Sequence, residues 1–271
     1  MESSIFLERL RARIRRQLFP RGQPASPTLE VVSYRGARFL VWSHEDVGWR
    51  LVRDRSFEPA ELEALRQRIR PDDICVDIGA NIGIFTVLMA RWAPQGHVHA
   101  FEPMEHSASV LRLNLELNAI ANATLYTEVL SDQVGEVSFA VAEDGAYSSL
   151  RHTARKAQQQ TVVVRSNRLD SFILALESPP DVLKIDVEGA ELLVLRGAAE
   201  TLRDERRRPR MILAEAHESN SRAYGYTPAD LVGFMRAAGY LVQAILPDGQ
   251  LTDWPAPAAL PDILFVAPDP R

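Results

Sequence analysis

The chemistry of this 271-residue chain is concentrated in a glycine turn and in acids placed where predicted strands end. Val76-Asp77-Ile78-Gly79-Ala80-Asn81-Ile82-Gly83 reads as a buried strand running into a tight turn, with a helix behind it. Glycine at such a turn lets backbone approach a ligand closely, and the start of a helix offers unpaired amide donors. Glu102 closes the next predicted strand, 23 residues after Gly79. An acid at about that spacing can accept hydrogen bonds from both hydroxyls of a ribose. Taken singly, the loop also fits a structural turn and Glu102 a solvated strand end. Taken together, they point to an adenosine-type ligand.

The loop has the form Gly-x-x-x-Gly with Asn81 inside it, so it lacks the middle glycine that admits a pyrophosphate in dinucleotide loops. Asp77 would repel a pyrophosphate and attract a cation, such as the amino group or sulfonium of S-adenosylmethionine. That charge argument favours S-adenosylmethionine over a nicotinamide cofactor. An NAD-type oxidoreductase stays as one rival reading, and a non-catalytic module that keeps the fold and docks to a membrane or partner as another.

Val76 to Gly83, then Phe101-Glu102-Pro103, then Leu183-Lys184-Ile185-Asp186-Val187-Glu188-Gly189-Ala190-Glu191 together resemble the FkbM family of S-adenosylmethionine-dependent methyltransferases, over roughly residues 57–245. The resemblance implies the class I methyltransferase fold, an α/β Rossmann-like sheet of seven strands with the last strand antiparallel and helices on both faces. It also implies methyl transfer to oxygen. On this basis Gly79, Ala80, Asn81 and Gly83 line the cofactor, Glu102 and Pro103 flank its ribose, and Ser131-Asp132 borders the adenine. Asp77 and Asp186 complete the set. Asp132 also fits a turn former ahead of Gly135.

Transfer to an aliphatic hydroxyl needs alignment, exclusion of water and a proton acceptor. Candidates end the fourth and fifth predicted strands: Asp186 with Glu188, and Glu215 with His217. Strand alternation puts each pair on one face. His217 has a suitable ordinary pKa for a base. The same groups carry enough carboxylate and imidazole for a divalent ion, although no metal ligand is assigned. Glu188 and Glu191 also fit acids that stabilise a helix start. Tyr147-Ser148-Ser149 and His152 either cover the acceptor or form an ordinary polar loop.

These residues must be positioned by alternating strands and helices. The predicted strands are Ile74–Ile78, His97–Phe101, Ala123–Leu130, Val182–Val187, Met211–Ala216, Tyr240–Leu246 and Ile263–Val266. The predicted helices are Phe85–Trp92, Ser107–Asn118, Ala190–Arg203 and Pro228–Ala238. Alternation of this kind argues for a parallel sheet covered on both faces. The last two strands lack a helix between them, so the final strand should be reversed. A hairpin at about residues 135–166 is read as an insertion. Residues 57–271 are expected to form the methyltransferase domain, with 1–56 as an extension carrying a hairpin around Arg35-Gly36.

Composition narrows the class. The chain is 46% hydrophobic, which suits a packed globular protein rather than a disordered one. Its single cysteine, Cys75, permits neither an internal disulfide nor a cysteine-based zinc site. The net charge of −5 gives no reason to expect nucleic acid as a partner; a small-molecule or glycan acceptor is expected. Phe6, Leu10, Ile14 and Leu18 form a helical stripe among five arginines between Arg9 and Arg16. That stripe reads either as a helix laid on the core or as a membrane-surface contact. With neither a signal peptide nor a membrane span in view, a cytoplasmic location is expected.

Overall fold

The structure is a computed structural model describing residues 28–142, 149–150, 158–254 and 262–268. The Phe6–Leu18 stripe, Tyr147, Ser148 and His152 lie outside the described residues.

The centre of the molecule follows from three largely buried strands. β3 (Ile74–Ile78), β4 (His97–Phe101) and β9 (Val182–Ile185) are buried along most of their length, as expected of parallel strands covered on both sides. With β5 (Ala123–Tyr126), β10 (Met211–Glu215), β11 (Leu241–Ile245), β12 (Leu251–Asp253) and β13 (Asp262–Val266) they form one sheet, ordered β12-β11-β13-β10-β9-β3-β4-β5. β13 runs antiparallel to both β10 and β11. Seven of these strands reproduce the expected methyltransferase sheet with its reversed last strand. The eighth, β12, was not anticipated: the chain turns at Pro247-Asp248-Gly249 and adds a three-residue edge strand on β11.

Side chains alternate between the two faces of each strand, so each face acquires its own core. Val76, Ile78, Leu183, Ile185 and Ile212 pack on one side, under α5 (Leu169–Ala175), α6 (Glu191–Arg196), α7 (Ala199–Arg203) and α9 (Pro228–Ala237). Cys75, Val98, Val182 and Leu213 pack on the other, with α2 (Pro59–Arg66) and α3 (Ile84–Trp92). The single helix expected over Ala190–Arg203 is broken at Gly197-Ala198, where the Gly197 carbonyl accepts from the Asp170 amide at 2.8 Å.

The hairpin β1 (Leu29–Tyr34) and β2 (Ala37–Trp42) turns at Arg35-Gly36 as expected. Ala37, Phe39 and Val41 enter the second core, as do Val47 of α1 (Asp46–Trp49), Leu51 and Phe57. Two asparagines one turn apart on α4 (Glu105–Leu117 with C-cap Asn118) tie it down. Asn114 Oδ1 accepts from the Leu40 amide at 2.6 Å and Asn114 Nδ2 donates to the Ile82 carbonyl at 2.8 Å. Asn118 pairs with both backbone groups of Arg38. The buried amide of Asn114 thus links the hairpin to the glycine loop.

The strand expected over Ala123–Leu130 is two strands. β5 stops at Tyr126, and β6 (Val129–Ser131) leaves the main sheet to pair with β8 (Gln158–Arg168), which also pairs with β7 (Gly135–Ala142). The hairpin of β7 and β8 is therefore part of a separate three-stranded sheet.

His99 on β4 shows how tightly this edge is packed. Its Nδ1 lies 3.1 Å from the Tyr126 hydroxyl, and its ring meets Phe172 edge-on at 5.2 Å. Burial and the neighbouring His97 push its pKa down from 6.5 to about 4. The unfolded chain therefore binds a proton that the folded one refuses. The contribution of His99 is complete above pH 6.5 and is lost as pH falls towards 4. Because the ring is partly exposed, about 1–2 kcal/mol is at stake. In urea titrations at pH 7 and pH 5, His99→Gln should lose less stability than the parent protein by about that amount; an equal loss in both would refute this.

Candidate active site

β3, β4 and β9 end side by side where the chain order reverses between β3 and β9, the position at which open α/β sheets bind ligands. A cleft of about 850 Å³, counting space open to solvent, lies there. Its floor is the glycine loop after β3. Gly79 adopts φ 81°, and a Cβ on it would lie 1.8 Å from the Asp186 carbonyl oxygen, so the loop and the end of β9 touch backbone to backbone. The amides of Gly79 and Ala80 both donate to the Phe101 carbonyl at 3.0 Å. Asn81, in the place of a middle glycine, takes φ 49°, a left-handed conformation that asparagine tolerates better than most residues.

Glu102 is the rim of this floor. Its Oε2 accepts from the Asn81 amide and its Oε1 from the Met104 amide, each at 2.9 Å. Burial raises its pKa to about 7, against the pull of the Met104 and Asn81 amides. Gly79, Ala80, Asn81, Glu102, Pro103, Asp186 and Glu188 all face the cleft, which brings together most of the residues read from the sequence. Gly83 does not line it; with φ 85° it packs against Leu111 and starts α3.

Three placements correct the sequence reading. Asp77 is wholly buried and does not line the cleft. It accepts from the Thr86 hydroxyl at 2.6 Å and faces Lys184 Nζ at 3.7 Å, so its charge is directed at a lysine rather than at a ligand. Ser131 and Asp132 are also absent from the cleft wall, because β5 ends four residues earlier than the pattern suggested. Ser131 instead bonds Ser166 within the three-stranded sheet, and Glu128, Val129 and Leu130 form the wall. His217 is exposed at the start of α8 (Glu218–Ala223) and does not line the cleft.

Lys184 received no role from the sequence, although a lysine inside an apolar strand, in a chain with only one other, was a visible signal. Its ammonium lies 3.3 Å from both Asp186 Oδ2 and the Gly79 carbonyl, and 4.9 Å from the centre of the Phe85 ring. Burial opposes its charge, but Asp186, Asp77 and Glu58 outweigh that and hold its pKa above the ordinary lysine value. Val47 and Phe57 from the N-terminal segment, and Phe139 and Leu150 from the insert, complete the apolar walls. No local spacing marked them.

The Asp186-to-Glu191 turn is held by Glu191. Its Oε1 accepts from the amides of Val187 and Gly189 at 3.1 and 3.0 Å, and its Oε2 lies 2.9 Å from the Tyr226 hydroxyl. Burial raises its pKa to about 7, against the Gly189 amide. Glu191 is thus a structural staple, and the strained residue it supports is Glu188, at φ 54°.

Several known proteins resemble this chain in sequence. A family model described as the methyltransferase FkbM domain matches residues 77–242. A hexuronic acid methyltransferase, AglP, of Haloferax volcanii is 31% identical over 67% of this chain and 72% of its own length. The 31-O-demethyl-FK506 methyltransferase FkbM of Streptomyces tacrolimicus is 28% identical over 65% of this chain and 75% of its own. A solved FkbM methyltransferase from Methylobacillus flagellatus KT superposes with a TM-score of 0.48 at 17% identity, covering 73% of this chain and 44% of that one.

Proposed function

The chain belongs to the FkbM family of S-adenosylmethionine-dependent methyltransferases, and from that premise we propose that its acceptor is a hydroxyl of a sugar, glycolipid or secondary metabolite. The observation that carries the methyl-transfer part of this reading is the Glu102 carboxylate, fixed by two backbone amides at the rim of the glycine-loop cleft. A carboxylate so fixed is preorganised to accept from a ribose diol. The two curated relatives described above act, by their names, on a hexuronic acid and on 31-O-demethyl-FK506, which supports a small-molecule acceptor.

When bound, S-adenosylmethionine supplies a methyl group already activated by its sulfonium. The protein must then place the acceptor oxygen, keep water out and take up a proton. The walls of Val47, Phe57, Phe85, Phe139 and Leu150 exclude water. Asp186 is the cleft-facing carboxylate next to the loop, oriented by Lys184 Nζ at 3.3 Å. We assign it to hold the acceptor hydroxyl and receive its proton. Glu188 stands beside it, on the same wall.

Calorimetry with S-adenosylhomocysteine should show binding that Glu102→Ala weakens by about 10- to 100-fold, the worth of one or two charged hydrogen bonds. Affinity should also decline as pH falls through about 7, where Glu102 protonates, and Glu102→Gln should flatten that decline. Transfer of labelled methyl to extract components identifies the acceptor. Binding of a nicotinamide dinucleotide with no binding of S-adenosylhomocysteine would overturn the reading.

A further inference from the structure

The acids at the ends of β9 and β10 do more than line a wall. One carboxylate oxygen each from Asp186, Glu188 and Glu215 lies within 4.8 Å of the other two. Three like charges so close repel strongly unless a cation sits among them. Asp186 is engaged by Lys184 and Glu188 Oε2 accepts from the buried Asn220 Nδ2 at 2.7 Å. Glu215 differs: its Oε2 is sealed from solvent without a hydrogen-bond partner. A buried, unpartnered carboxylate oxygen is costly. It is the atom that a ligand in this cluster would satisfy. Its neighbour across the sheet, Asp262, pairs in register with Glu215 on β13, so a further carboxyl stands next to the cluster.

We propose that Asp186, Glu188 and Glu215 hold a divalent cation of the magnesium type, whose open positions face the cleft and take the acceptor hydroxyl. The ligand set is all oxygen, which suits a hard ion such as Mg²⁺ or Mn²⁺ and not the nitrogen and sulfur preference of zinc. Asp186 and Glu188 line the cleft and Glu215 does not, so the third ligand reaches the ion from behind. Asn220, wholly buried, orients the Glu188 carboxylate from outside the ligand set. An ion there would lower the pKa of a coordinated hydroxyl and fix its oxygen. The hydroxyl role rests on the methyl-transfer reading; the ion site does not.

The test uses Mn²⁺ alone with the full chain, followed by the loss of the free-ion paramagnetic resonance signal. One Mn²⁺ should bind per chain, and Glu215→Gln, which keeps the shape and removes the charge, should weaken it by more than about tenfold. Glu215→Gln should bind S-adenosylhomocysteine like the parent, which shows that it is folded. If it does not fold, Glu188→Gln carries the test, with the same loss of Mn²⁺ affinity expected. No Mn²⁺ uptake, or uptake undiminished in the folded variants, overturns the proposal. Mn²⁺ uptake without any binding of S-adenosylhomocysteine supports the ion site and removes the methyl-transfer reading instead.

Discussion

Lys184→Met should destabilise the fold by about 3–5 kcal/mol, the usual consequence of removing one partner of a buried ion pair. The side chain has little to lose in packing, since methionine keeps its length and its contact with Phe85. What disappears is the ammonium facing Asp77, which is wholly buried and has its Oδ1 without a hydrogen bond. The Thr86 hydroxyl satisfies Oδ2 alone. A carboxylate stranded in this way must either stay charged in a poor dielectric or take up a proton. Urea titration would read the loss directly, with a fall in melting temperature on the order of 10 °C. The origin of the loss is separable: adding Asp77→Asn to Lys184→Met removes the stranded charge and should recover a large part of it. A single variant within about 1 kcal/mol of the parent would show that the pair is not what closes the centre of this sheet.

Gly79→Ala is expected to abolish cofactor binding with a smaller effect on the fold elsewhere. Two separate penalties meet at this residue. At φ 81° a side chain is strained by about 1–3 kcal/mol. The new methyl would also sit 1.8 Å from the Asp186 carbonyl oxygen, a backbone atom with no rotamer by which to escape. Relieving that collision costs about 1–3 kcal/mol more and pushes the glycine loop away from the end of β9. Affinity for S-adenosylhomocysteine should fall by more than about 100-fold, equivalent to some 2.7 kcal/mol. Gly225 supplies the control. It has the same φ of 81°, yet a Cβ there would meet nothing within 4 Å. Gly225→Ala should therefore show the strain without the collision and leave cofactor affinity intact. Equal losses of affinity in both variants would mean that general destabilisation, rather than the loop contact, governs binding.

Reading order along the chain recovered the features that depend on neighbours in sequence. The Arg35-Gly36 hairpin, the strands Ile74–Ile78 and His97–Phe101, and the reversed final strand follow from local apolar period and connection length, and each is present. Glu102 was legible because a fixed spacing separates it from the loop it serves. The third strand was misjudged because Ala123–Leu130 holds no glycine or proline to mark a break, and an unbroken run does not say which of two sheets it will join. Its true end at Tyr126 moves the cleft wall from Ser131-Asp132 to Glu128–Leu130. Glu191 could be read as a helix-start acid but not as the acceptor for the Val187 and Gly189 amides, since that depends on how the turn closes.

By itself, then, the sequence determined the class of fold, the family and the glycine loop that lines the cleft, because turn chemistry and strand period are set within a few residues. The tertiary structure alone decided that Asp77 answers to Lys184, that Asp186, Glu188 and Glu215 converge, and that Val47, Phe57, Phe139 and Leu150 shut the cleft. Those meetings join residues up to about a hundred positions apart. They are settled by which strands lie side by side and which faces must be buried, quantities that no local spacing carries.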